Sequence, residues 1–393
     1  MLYAASALAA FAIAPDVGRA ARCDLGARGG ARYAVGALVA WLLVSRRVSI
    51  RARAILASAV FAAVALVPTI LHADARNASV TAHVKSDVLI VEQAAESLLH
   101  GRNPYVVIHD QGSLAEWPAT TKAHFPYLPA ILVLGMPRAV AGPGTWTDAR
   151  VIYLAITLAI AVPSILWLSA SVEGRIRAFQ VMLVLVSGAP LVFTSGKEVL
   201  VLSLVLASLV ALQRGHTFAS GASAGLAAAM HQLAWVILPM TAFMLTRGRA
   251  TTGRKAAAIA ASIAIAAVGP FLVWDAGAFV EDTVLFPLGF DQPVVGTTLT
   301  PGSLVAGVAP SARWVLVLVT LIAVAAYTVA VVRRGVRAAS DVARAAGILL
   351  LIALLLAPRV RLAYFAFPAN LLLWSRIADR RDHVCAVRAS EPL

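Results

Sequence analysis

AILASAVFAAVALVPTIL, residues 54–71, carries no charged side chain over 18 positions, and RRVSIRAR, residues 46–53, precedes it. As a helix rising about 1.5 Å per residue it reaches ~27 Å, close to the ~30 Å hydrocarbon thickness of a bilayer. Helix is the conformation available to such a run in lipid, because every backbone N–H and C=O must be satisfied within the segment. The stretch therefore predicts a membrane-spanning helix.

The rest of the chain repeats the pattern. Apolar runs recur at 2–14, 33–45, 127–142, 151–170, 178–195, 199–213, 217–246, 256–274, 313–332, 343–357 and 361–375. The 393 residues are 60% hydrophobic and only 13% charged. Soluble domains carry roughly 45–50% apolar and about 25% charged residues, so a soluble enzyme is excluded. Disorder is excluded as well, since nothing this apolar stays solvated. The expected fold is all-α, a polytopic transmembrane bundle of roughly nine to twelve membrane helices. Runs such as 33–45 are too short to cross alone. The first 14 residues lack the basic start of a cleaved signal peptide.

Charge orients this bundle. All but four of the 33 basic residues are arginine, and the net charge is +14. The arginines gather in short clusters between apolar runs, which is how a bilayer protein marks its cytoplasmic side rather than a nucleic-acid surface. Arg46, Arg47, Arg51 and Arg53 belong inside, as do Arg247, Arg249, Arg254 and Lys255, then Arg333, Arg334 and Arg337, and the tail from Arg376. Two polar segments, 72–126 and 275–312, then fall on the outer face. Residues 1–53 form a membrane-associated start of open topology, 54–376 the membrane domain and 377–393 a cytoplasmic tail. The run 217–246 reads either as one helix or as two short ones turning near His231 and Gln232. The second option needs a hairpin or re-entrant piece in 127–150, which Pro126, Pro129 and Pro137 permit.

The first outer segment is the richest in polar groups. Ser86 to Leu99 reads as an amphipathic helix lying on the membrane surface, with Val88, Val91, Ala95, Leu98 and Leu99 on one stripe and Glu92 and Glu96 one turn apart on the other. Ser86 or Asp87 caps it, and Gly101-Arg102-Asn103-Pro104-Tyr105 ends it. Asp87 is either that cap or a general base facing lipid-anchored substrates.

SDVLIVEQAAESLLHGRNPY, residues 86–105, resembles the first outer loop of the GT-C membrane glycosyltransferases, in particular glycosyltransferase family 87, which uses polyprenyl-phosphate mannose. The matching positions are Asp87, Gly101, Pro104 and Tyr105. FPYLPAILVL, residues 125–134, resembles the family's Tyr-Pro-Pro entry into the next helix through Tyr127 and Pro129. The segment 195–239 is similar to a later stretch through Gly196, Gly221, Gly225 and Pro239, with Lys197-Glu198 standing where the family has Gln and His231 where it has Lys. APRVRLAYFAFP, residues 357–368, resembles its last motif.

The resemblance implies an enzyme of GT-C type acting outside the cytoplasmic membrane. It would move a hexose, mannose by likeness, from a polyprenyl-phosphate-linked sugar to a lipid or glycan acceptor, with Asp87 as base. The departing phosphate needs cations: Arg359, Arg361, Lys197, His231 and Arg102 are the candidates. Glu198, Tyr105, Tyr127, Asp291 and Gln292 are candidates for substrate contact. Each has a plainer alternative. Arg359 and Arg361 could be a snorkelling pair, His231 a packing residue, Glu198 the partner of Lys197, the tyrosines an interfacial belt, and residues 286–304 an ordinary connector. No HExxH, Asp-x-Asp, Gly-rich phosphate loop or Cys/His cluster occurs, and Cys23 and Cys385 lie near opposite ends. No metal and no cofactor is therefore expected. A transporter or flippase for a lipid-linked saccharide, or a non-catalytic scaffold, is the competing reading; a transporter usually shows a repeat and charges deep in its spans, and no repeat is visible.

Overall fold

The computed structural model describes residues 49–78, 84–184, 196–243, 250–290 and 299–390. Among these every regular element is a helix. The charge-free run 54–71 lies in the first of them: α1 (Ile50–Phe61) passes through a π turn at Ala62–Leu66 into α2 (Val67–Ala78). Ser49 caps it, accepting from the Ala52 N–H at 3.3 Å. Pro68 explains the π turn. Its ring would strike the carbonyl four residues back, within that turn, and widening the turn relieves the clash.

Besides shorter helices and turns, the chain forms α3 (Ser86–Leu99), α4 (Met136–Ala141), α5 (Ala149–Leu168), α6 (Lys197–Gln213), α7 (Thr217–Met230), α8 (Ile237–Ala242), α9 (Ala250–Trp274), α10 (Arg313–Arg334), α11 (Ala339–Leu356) and α12 (Ala366–Ser390). Four helices among the described residues are long and apolar enough to cross a membrane: Ala149–Leu168, Thr251–Trp274, Pro310–Arg334 and Ala339–Leu356. The chain divides into two compact units, one of residues 1–125, 131–162 and 171–200, the other of 126–130, 163–170 and 201–393. Between 127 and 150 the chain breaks into short pieces, a 3-10 turn at Pro129–Leu134, α4 and a second 3-10 turn at Thr145–Thr147.

In the first unit α3 has the bounds its periodicity predicts, but its surroundings differ. Lys85 occupies the N-cap position without a side-chain cap bond, and Asp87 sits in the first turn. Ten of its residues are buried, Glu92 among them, so it is an embedded helix and not a surface one. The physical reason is that Glu92 finds arginines inside the unit, which removes the cost of burying a carboxylate. Gly135 lets α4 close on α3: a Cβ there would stand 2.5 Å from the Val91 carbonyl oxygen.

In the second unit α7 and α9 approach just as closely. A Cβ at Gly221 would lie 2.6 Å from the Ala256 carbonyl oxygen, and one at Gly225 would lie 2.7 Å from that of Ala260. Small residues four apart are a common device for bringing helices together in lipid. The run 217–246 is two helices rather than one: α7 ends at Met230, His231 is extended (φ −152°, ψ 133°), and a 3-10 turn, Gln232–Val236, leads into α8.

Candidate functional site

Asp87 begins the site in the first unit. Its carboxylate is 4% exposed, and its Oδ2 accepts from Lys197 Nζ at 2.8 Å. Lys85 Nζ lies 3.1 Å from the same oxygen. Lys197 is itself buried, with Nζ 3.2 Å from Glu198 Oε1. Gly196, at φ +74°, turns the chain so that Lys197 opens α6. A cation at a helix N-terminus opposes the macrodipole, and the two carboxylates offset that. Two acids and two lysines thus meet in one cluster, buried but for Lys85, whose side chain is partly exposed. Lys197 reaches Asp87 across 110 residues of chain, a distance no local pattern reveals.

Arg102 stands exposed in the turn after α3, about 20 Å along the helix from Asp87. Tyr105 is buried, its ring edge-on to Phe125 at 5.3 Å and its backbone N–H donating to Asn103 Oδ1 at 3.1 Å. Gly101, at φ +69°, makes the turn that brings this segment back.

One cluster in the first unit has no precursor in the sequence reading beyond Glu92. Arg76 Nη2 donates to Glu92 Oε2 at 2.7 Å, and its Nη1 donates to Asp148 Oδ2 at 2.9 Å. Arg150 grips Asp148 through Nε at 2.9 Å and Nη2 at 2.8 Å. The Ala149 N–H donates to Glu92 Oε1 at 3.0 Å. Burial alone would push the Asp148 carboxyl up, but the bonds and charge of Arg150, with those of Arg76, hold it well below the usual carboxylate range. Arg138 adds a longer contact, Nε to Glu92 Oε2 at 3.5 Å. The only hint in the sequence was Asp148-Ala149-Arg150 sitting at the mouth of an apolar run.

The second unit gathers a different group. Tyr127, Arg359, Arg361 and Tyr364 line a cavity of about 20 Å³ with Pro126, Phe286 and Pro287, room for one water. Arg359 Nη1 donates to the Phe286 carbonyl at 3.3 Å, and its guanidinium lies 5.4 Å above that ring. Burial, and then the charge of Arg361, lowers the Arg359 pKa. His231 meets Tyr364 edge-on at 5.6 Å, while its Nδ1 accepts from the Leu233 N–H at 3.2 Å and caps the 3-10 turn. Gln232 Nε2 donates to the Thr283 carbonyl at 2.9 Å. Asp291 and Gln292 lie outside the described residues. Among the described residues no three or more His, Cys, Asp or Glu side chains form a group able to hold a metal ion.

The candidates thus fall into two sets, Asp87 with Lys197 and Glu198 in one unit and Tyr127 with Arg359 and Arg361 in the other. No protein-family model matches the chain, and no curated protein does.

Proposed function

We propose that the chain is a multi-pass glycosyltransferase of GT-C type in the cell membrane, acting on the extracytoplasmic face. It moves a hexose, mannose by resemblance, from a polyprenyl-phosphate-linked donor to a lipid or glycan acceptor. The observation that carries this reading is the buried meeting of Asp87 with Lys197. A carboxylate and an ammonium held together out of water are what an inverting transfer from a lipid phosphate requires: one group for the acceptor's proton, the other for the departing charge.

In this reading Lys197 pairs with Asp87 before the donor arrives. The donor phosphate draws the Lys197 ammonium to itself, and the carboxylate, with Lys85 still beside it, becomes the better proton acceptor. The acceptor hydroxyl then gives its proton to Asp87 as its oxygen bonds to the anomeric carbon. The bond from that carbon to the phosphate oxygen breaks, and the electron pair leaves with the polyprenyl phosphate, beside Lys197. Arg359 and Arg361, with Tyr127, lie in the other unit and take no part in this step. The sorting of arginines supports the orientation, since Arg254 and Lys255 open α9 while Arg333 and Arg334 close α10.

Reconstitution into vesicles with radiolabelled polyprenyl-phosphate mannose and a membrane extract tests it. Wild type yields labelled product, and Asp87→Asn reduces the rate by about two to four orders of magnitude. Lys197→Met acts similarly and also destabilises, because it removes one of the two ammonium groups beside the buried Asp87 carboxylate. Full-rate product from Asp87→Asn would sink the mechanism.

A further inference from the structure

Along α3, Leu89, Glu92, Gln93 and Glu96 share one face by their spacing. Asp87 precedes Leu89 by two positions, about 200° around the helix, so it points away from that face. The face opens on a cleft of about 550 Å³, lined also by Arg76, Asn77, Gln111, Arg138 and Gly142. This volume lies within the range of small-molecule sites, and the cavity is separate from the Asp87–Lys197 pair.

The polar groups around it divide into the engaged and the free. Arg76 and Glu92 are consumed by one another and by Asp148. Gln93 is tied to the backbone of Gln111, donating to its carbonyl at 2.6 Å and accepting from its N–H at 3.3 Å. Asn77 donates to the Ala73 carbonyl and to Thr145 Oγ1. Two groups are left over. Arg138 Nη1 is buried and has no hydrogen-bond partner. Glu96, half-buried one turn beyond Glu92, makes no side-chain bond among the described residues. A cavity that holds an unused donor beside an unused acceptor suits a ligand whose groups do both.

Hydroxyls do both. An inorganic anion would meet the charge of Glu96, and a cation would meet those of Arg76 and Arg138. We propose that this cavity binds a neutral saccharide, with Arg138 donating to a ring or hydroxyl oxygen and Glu96 accepting from one or two hydroxyls. The proposal goes beyond the transfer reaction and stands or falls without it, because binding is read with no donor lipid present.

The experiment uses the full chain in phosphatidylcholine nanodiscs, which bring no sugar of their own. Saturation-transfer NMR is run against glucose, mannose, galactose, N-acetylglucosamine and their disaccharides. At least one gives a saturable signal, weakened about tenfold or more in Glu96→Ala, the loss expected when a hydrogen bond to a charged group disappears. Arg138→Gln weakens it likewise, and because Glu96 supports no other group its variant keeps the test clear of misfolding. A panel with no saturable signal dependent on Glu96 overturns the proposal. So does inorganic phosphate binding that requires Arg138 where no saccharide binds. Failed mannose transfer with intact saccharide binding would overturn the enzyme alone.

Discussion

Histidine 109 shows how a single side chain links folding to pH. Its Nε2 lies 3.0 Å from the Pro104 carbonyl, its Nδ1 is buried without a partner, and its ring stands edge-on to Phe125. Burial, helped by the charge of Arg102, pushes its pKa below the ordinary value, outweighing the Pro104 bond and Asp110. The unfolded chain then takes a proton at about pH 6.5, before the folded one does. Stability is therefore full above that value and declines as pH falls through it toward the lower folded pKa. Thermal unfolding in nanodiscs between pH 8 and 5 should show the decline, and His109→Gln should flatten it; an unchanged slope in the variant would remove His109 as its source. Residues of this kind also mark the limit of what sequence conveys. Asp87 was legible because a capping context and a motif drew attention to it. Arg76 and Asp148 were not, since they meet across 72 residues and no periodicity relates them.

At the scale of elements, apolar periodicity located α3 to the residue, while the break at His231 was one of two readings of 217–246 that the charges left open. It misjudged the setting of α3, because an amphipathic pattern says only that the polar stripe needs partners. Water and buried arginines serve equally well. Packing between helices was written in the sequence as Gly221 and Gly225, read there as likeness to a family and seen in the fold as contact surface. Gly225→Val should lower unfolding stability by about 1–3 kcal/mol, the usual cost of forcing volume into a closed interface. Gly269, also in α9 but with nothing within 4 Å of its would-be Cβ, should accept Ala without loss. Thermal-shift measurements on the two variants check this, and equal behaviour would remove the close α7–α9 contact as a source of stability.

For the whole molecule, the informative quantity is where the scarce charge sits. If arginines mark the cytoplasm, residues near Glu116 face outward and those near Arg337 inward. In a background with Cys23 and Cys385 replaced, a cysteine at Glu116 should react with an impermeant maleimide added to intact cells, and one at Arg337 only after lysis. The reverse pattern would invert the proposed orientation and put Asp87 on the wrong face for a polyprenyl-linked donor. The number of spans was less legible than their existence, because prolines and 3-10 pieces cut apolar runs such as 127–142 into shorter helices.

Helix α10 has one further consequence. No residue in its apolar span is buried within the protein, so in the membrane proposed above its exposed face would meet acyl chains. Lipid has no fixed shape to match, and the identity of each side chain on that exposed face is consequently unconstrained so long as it stays apolar. Between homologues this helix should drift fastest of the four, keeping its oiliness and its terminal arginines while losing its letters. An aligner would find its place in the chain only by the elements around it.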